Sequence, residues 1–309
     1  MSVEAERFLV TGALGCIGAW TCAVLAQDGV PVVGFDLGDD RRRLVLAGAD
    51  GVPVERGDVT DRAALERAVD GHGITHVVHL AALLIPLIKR DPPYGTAVNI
   101  GGTVNVLDLA KTRGLRVAYA SSAAVYSDAD DDGAPVPNDA PGHPTTFYGV
   151  HKQACEGLAR IFWAEEGVAS VGIRPFIVYG PGRDAGLTAS PSLAMAAAAR
   201  GEPARIAFGG RTQLQYAPDA ARVFVAAARA ATEGARVFHL GGPAVTLAET
   251  AAAIEEASGV RVDVDEETRL PFPEEFDGTA LEAALGGIRW TPLAEGARQT
   301  IDRLRAVRG

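Results

Sequence analysis

The stretch Phe8-Leu9-Val10-Thr11-Gly12-Ala13-Leu14-Gly15-Cys16-Ile17-Gly18 is an apolar run that breaks into three glycines and then resumes with helical spacing. Strand, tight turn and helix follow from that pattern. Gly12 permits a sharp turn, Gly15 removes a side chain where a diphosphate has to approach, and Gly18 lets the new helix pack closely on the strand. The helix start then offers unpaired N–H groups and the positive end of its dipole. Gly12, Leu14, Gly15, Cys16, Ile17 and Gly18 are therefore the candidate contacts for the diphosphate of a dinucleotide. Three close glycines mean little by themselves in a chain that holds 36. Their position between a strand and a helix is what makes them specific.

Strands and helices alternate onward from that loop. Gly29 to Asp36 reads as a second buried strand ending in an acid, about twenty residues past the glycines. A carboxylate there accepts bonds from the adenosine ribose hydroxyls and repels a 2′-phosphate, so Asp36 favours NAD over NADP. Arg41-Arg42-Arg43 could meet such a phosphate, or form a solvated helix face. Val52 to Arg56 is a third strand leading to Asp58 and Val59, candidates for the adenine edge, although Asp58 also suits a helix cap. Thr75 to Leu80 is a fourth. Its His79 reads as a satisfied core residue, and Leu80, Ala81 and Ala82 are small or apolar where a backbone passes a bulky ligand. Leu83 to Pro93 suits the rim of a cleft, residues 94 to 113 form a helix carrying Asn99, and Leu115 to Ser121 is a fifth strand. This order predicts an α/β fold with a parallel, doubly wound sheet and its ligand at the strands' carboxyl ends.

Composition narrows the function classes. The chain has 309 residues, a formal charge of −10 and a sequence pI near 5.1, a surface field that repels nucleic acid and anionic membranes. A small-molecule partner held by local donors remains compatible. Cys16, Cys22 and Cys155 lack metal-ligand spacing and read as free thiols. No apolar run reaches membrane-spanning length, and Glu4, Glu6 and Arg7 precede only a short strand, so the expected compartment is the cytoplasm.

The chemistry is expected between residues 121 and 182. A strand ends at Ser121-Ser122, an acidic, proline-rich loop follows, and a helix then opens with Tyr148-Gly149-Val150-His151-Lys152. A spacing of four puts Tyr148 and Lys152 on one helix face. An ammonium beside a phenol stabilises the phenolate and makes the tyrosine a usable acid or base.

With those residues in hand, the sequence resembles the extended short-chain dehydrogenase/reductase family, which includes nucleotide-sugar epimerases and dehydratases. The resemblance rests on the glycine loop, Asp58-Val59, His79 to Ala82, Asn99, Ser121-Ser122 with Val125-Tyr126, Tyr148 with Lys152, and Arg174-Pro175 with Tyr179 to Gly182. It implies a Rossmann-type sheet, bound NAD, Asn99 among the cofactor contacts, and a homodimer. It also implies a triad in which Ser122 bonds the substrate oxygen, Tyr148 exchanges its proton and Lys152 holds the nicotinamide ribose.

Two departures bear on the substrate. Relatives that bind nucleotide sugars carry Asn where this chain has Ile177, and an Arg-Asp-aromatic run where it has Thr212 to Asp219. Losing both removes charge-assisted contacts worth roughly 1.5–3 kcal/mol each. The expectation is therefore a smaller polar substrate, a polyol, sugar or sugar acid, with Arg211 and Gln213 as its contacts. The expected activity is hydride transfer at a secondary alcohol or ketone. The alternatives are an epimerase or dehydratase that recycles its NAD, and a silent dinucleotide sensor. Residues 1–175, with 213–245 returning to them, are expected to form the NAD-binding domain. Residues 176–212 and 246–309 form the smaller α/β substrate-binding portion, and Thr246 to Glu249 reads as a capping box opening a helix.

Overall fold

The computed structural model describes residues 5–307. Its strands are β1 (Phe8–Thr11), β2 (Val32–Asp36), β3 (Val54–Arg56), β4 (His76–His79), β5 (Arg116–Ala120), β6 (Ser170–Arg174), β7 (Ile177–Tyr179), β8 (Ala204–Ile206), β9 (Arg211–Tyr216), β10 (Ala235–His239), β11 (Ala244–Thr246) and β12 (Val262–Val264). Seven of them form one parallel sheet in the order β10-β6-β5-β4-β1-β2-β3. Chain order reverses beside β1, so the loops after β1 and β4 part there and open a crevice at the strands' carboxyl ends.

Alternation of side chains along each strand serves two cores. Phe8, Val10, Val78 and Ala118 pack with helices Cys16–Gln27 and Ala217–Arg229 on one face. Leu9, Val77, Val117 and Tyr119 pack on the other, with helices Arg62–His72, Gly102–Arg113 and Phe147–Glu166. Both faces are covered, which is why these strands read as near-continuous apolar runs.

A third core lies under the smaller portion, where β7, β9 and β11 form one sheet and β8 and β12 another. β9 sits wholly in that small sheet, and the polypeptide returns to the main core only at Ala217. The capping box at Thr246 is present: its hydroxyl accepts from the Glu249 N–H at 3.1 Å, and Glu249 accepts from the Thr246 N–H at 2.7 Å.

The helix expected over 94–113 is broken. A short helix Pro92–Thr96 passes through a π turn, Ala97–Gly101, before Gly102–Arg113 begins. The π turn carries Asn99, and such wide turns re-aim side chains beside functional sites.

Candidate active site

At the switch point the glycine loop is packed backbone to backbone. Gly12 has φ +69°, and a Cβ there would lie 2.7 Å from the Ala81 nitrogen on the loop after β4. A Cβ on Gly18 would lie 2.1 Å from the Gly12 carbonyl oxygen, so the helix can approach the strand only without one. Gly15 caps helix Cys16–Gln27 without a side-chain cap, leaving the first-turn N–H groups free for an anion. These are the features a dinucleotide diphosphate requires.

The cleft has two halves that share Gly12, Gly15, Leu80 and Ala82. One, of about 480 Å³, is bordered by Leu14, Asp36, Asp58, Val59, Ala81 and Tyr94 and suits an adenosine. Asp36 accepts from the Leu14 N–H at 2.9 Å and the Gly38 N–H at 3.1 Å, which leaves acceptor capacity on both oxygens for ribose hydroxyls. Asp58 accepts from the Thr60 N–H at 2.8 Å and the Tyr94 hydroxyl at 2.9 Å, so it borders the adenosine half with part of its capacity spent locally.

The three arginines divide their work. Arg42 pairs with Asp40 in solvent, and Arg41 donates to the Asp50 and Val52 carbonyls at 2.7 and 2.6 Å. Arg43 donates to the Leu14 carbonyl at 2.9 Å and the Gly182 carbonyl at 3.0 Å and pairs with Asp184.

The other half, of about 560 Å³, brings Ser122, Tyr148 and Lys152 together with Gly12, Gly15, Cys16, Ile17 and Gly18. Thr146 caps helix Phe147–Glu166 through the Gly149 N–H at 3.0 Å. A Cβ on Gly149 would lie 2.0 Å from the Ala124 oxygen, so this glycine is what lets the helix start abut the turn after Ser122. Ser122 accepts from the Ala124 N–H at 3.1 Å, leaving its own O–H free to donate. Lys152 is buried, donates to the Ala120 carbonyl at 2.6 Å and holds its ammonium 5.6 Å from the centre of the Tyr148 ring.

The neighbouring serine has a different role. Ser121 is buried and donates to Glu156 at 2.5 Å, while Glu156 pairs with Arg174 through two bonds of 2.7 Å. His79 is also buried, bonded to the hydroxyls of Thr11 at 2.7 Å and Thr103 at 3.3 Å. Burial, reinforced by the Lys152 charge, pushes its pKa down to about 3, so it stays neutral as a core residue. Burial pushes the Cys16 thiol up to about 11, which removes it as a nucleophile.

Three expectations are corrected. Arg211 is exposed and paired with Glu275, outside the cleft. Gln213 is buried and spends its amide on the Phe276 N–H and carbonyl, both at 3.0 Å, and on the Gly242 carbonyl at 3.2 Å. Asn99 does not border either half of the cleft. It accepts from the Leu83 N–H at 2.7 Å and donates to the Leu83 carbonyl at 3.0 Å, so it pins the rim loop.

Side chains that the sequence reading passed over close the substrate end. Phe176 and Phe272 stand edge to face with ring centres 6.3 Å apart, and Lys89, Arg183 and Thr188 border the same space. Arg183 follows directly on the Gly180-Pro181-Gly182 turn, a position that could have raised it from sequence. Phe272, in an irregular segment between two prolines, carried no such signal.

Residues 8–241 match the NAD dependent epimerase/dehydratase family. Over 186 residues the chain is 33% identical to UDP-glucuronate 4-epimerase 3 of Arabidopsis thaliana, a match covering 56% of this chain and 42% of that protein. The matched segment thus spans less than half the length of that relative. Among solved structures, a GalE-like L-threonine dehydrogenase from Cupriavidus necator superposes with a TM-score of 0.83 at 27% identity, covering 98% of this chain and 100% of the other. The UDP-glucose 4-epimerase of Thermus thermophilus, solved with NAD, gives 0.81 at 26% identity over 97% and 99%. Sequence match, sheet order and glycine-lined cleft agree: this chain belongs to the NAD dependent epimerase/dehydratase family and is an NAD-dependent enzyme of the extended short-chain dehydrogenase/reductase type.

Proposed function

We propose that the chain is an oxidoreductase acting on the secondary alcohol, or the matching ketone, of a small substrate that is not a nucleotide sugar, with Ser122, Tyr148 and Lys152 moving the proton. The observation that carries this reading is their convergence in one cleft with the glycine loop. NAD held by the glycine loop and Asp36 would supply the hydride acceptor for the alcohol carbon, or the donor for the carbonyl carbon. The Ser122 O–H, already held through the Ala124 N–H, donates to the substrate oxygen and sets its direction. Tyr148 sits in the first turn of its helix, borders the same cleft and exchanges the alcohol proton. Lys152, anchored on the Ala120 carbonyl, holds its ammonium beside the Tyr148 ring from the next turn of the same helix.

The reading against a nucleotide sugar draws on Ile177, fully buried in the small core, and on Thr212, also buried. The likeness to a threonine dehydrogenase supports net oxidation, and the likeness to epimerases supports the rival reading, isomerisation with recycled NAD. Incubation with NAD and a panel of secondary alcohols decides between them. Bulk NADH is the expected result, and isomerised substrate without net NADH overturns it. Tyr148→Phe should abolish turnover while NAD affinity stays nearly intact, and a variant that still turns over removes Tyr148 as the acid or base. We also propose a homodimer, supported by Phe147, Val150 and Ile161 exposed along helix Phe147–Glu166, and a reducing cytoplasm, supported by three unpaired thiols. Light scattering of the same sample reads the mass, and a monomer excludes the dimer.

A further inference from the structure

The turn after β7 leaves the smaller portion and lands on the cofactor loop. Its contacts are specific. The Trp20 indole donates to the Pro181 carbonyl at 2.9 Å, and Arg43 joins the Gly182 carbonyl to the Leu14 carbonyl while pairing with Asp184. The segment is thus held at both sides of Arg183.

Arg183 itself borders the cofactor cleft together with Gly15, Cys16 and Ile17, where the uncapped helix begins, and its charge acts on the Cys16 thiol. It takes part in no ion pair among the described residues, whereas Arg43, which holds the same turn, pairs with Asp184. One of its nitrogens donates to the Thr188 hydroxyl at 3.2 Å, and its Nε is buried with no partner. Gly186 leaves the room it occupies, since a Cβ there would lie 3.0 Å from Nη2. A buried guanidinium N–H without an acceptor is costly, and an anion at this point removes the cost.

We propose that Arg183 is a clamp for the NAD diphosphate, delivered from the substrate-binding portion, so that cofactor binding also fixes the segment from Arg183 to Thr188 that borders the substrate end. The helix start supplies backbone N–H groups from one side and Arg183 supplies a planar fork from the other. The cofactor is thereby held by both portions of the chain. The wall that substrate meets is tied to the cofactor through Arg183. This assignment depends on the family's cofactor and is independent of which alcohol is oxidised.

Calorimetric titration of NAD, ADP-ribose and adenosine into wild type, Arg183→Gln and Arg183→Lys tests it without turnover. Arg183→Gln should weaken NAD and ADP-ribose by about tenfold to about a hundredfold while adenosine is unchanged, the range expected for charge-assisted bonds. Arg183→Lys keeps the charge without the fork and should recover part of the loss. Retained adenosine binding shows that the variants fold. Trypsin cleavage after Arg183 in the wild type should slow on adding NAD and not on adding adenosine. Unchanged NAD affinity in Arg183→Gln, or a loss equal for adenosine, overturns the assignment, as does a variant in which only the substrate KM rises.

Discussion

Replacing Glu156 by Gln removes one charge from a pair that has almost no solvent around it. Side-chain exposure is 4% for Glu156 and 9% for Arg174, and two bonds of 2.7 Å join them. Arg174 also donates to the Tyr126 hydroxyl at 2.8 Å and the Asn138 carbonyl at 3.0 Å, neither of which carries charge to offset it. Ser121 loses a charged acceptor in the same step. An uncompensated buried charge costs about 3–5 kcal/mol, and Glu156→Gln should lose that much stability. Urea denaturation reads it as a lower midpoint with the slope unchanged. Replacing both partners together, Glu156→Met with Arg174→Met, removes the burial penalty along with the pair and should recover most of the loss. A single substitution costing less than about 1 kcal/mol, or a double substitution costing as much as the sum of the singles, would falsify the idea that the pair is desolvated and interdependent.

Asp36→Ala should shift cofactor preference from NAD toward NADP, because the 2′-phosphate no longer meets a carboxylate held on the Leu14 and Gly38 N–H groups; competition binding of the two cofactors checks this, and an unchanged ratio excludes Asp36 as the selector. Stability should fall as pH drops below about 6.5, since burial pushes His79 and His239 down to about 3 and only the unfolded chain takes up their protons in that window. Each histidine contributes about 1.4 kcal/mol per pH unit between those limits, so unfolding at pH 6.5 and 4.5 should differ less in His239→Gln than in the wild type. Identical differences in the two proteins would place His239 outside this balance.

Much of the site was legible because it is local. The glycine spacing, the acid ending β2 and the four-residue step from Tyr148 to Lys152 are all set within one turn or one strand, where periodicity and backbone geometry act directly. Ser121 and Ser122 show the limit of that legibility. Both follow the same strand and border the cleft, and only Glu156, 35 residues on, takes up the Ser121 hydroxyl while that of Ser122 stays free to donate.

The misread residues share one property: polar side chains whose partners are distant in the chain. Arg211 finds Glu275, 64 residues away, and Gln213 finds Phe276 at 63. Asn99 bonds back across 16 residues to Leu83 from within a π turn that no sequence period announces. A polar side chain near a site satisfies whichever partner packing brings, and local sequence carries no record of that partner.

By itself, then, the sequence determined the α/β alternation, the glycine loop with its acid, and the shared helix face of Tyr148 and Lys152, because each is written in backbone freedom and short-range spacing. Tertiary structure alone decided which polar groups face the cleft and which are spent on the scaffold, and it alone brought Phe272 and Arg183 to the cleft. Those choices depend on the packing of segments far apart in the chain, where burial makes every donor and acceptor take the partner that the fold provides.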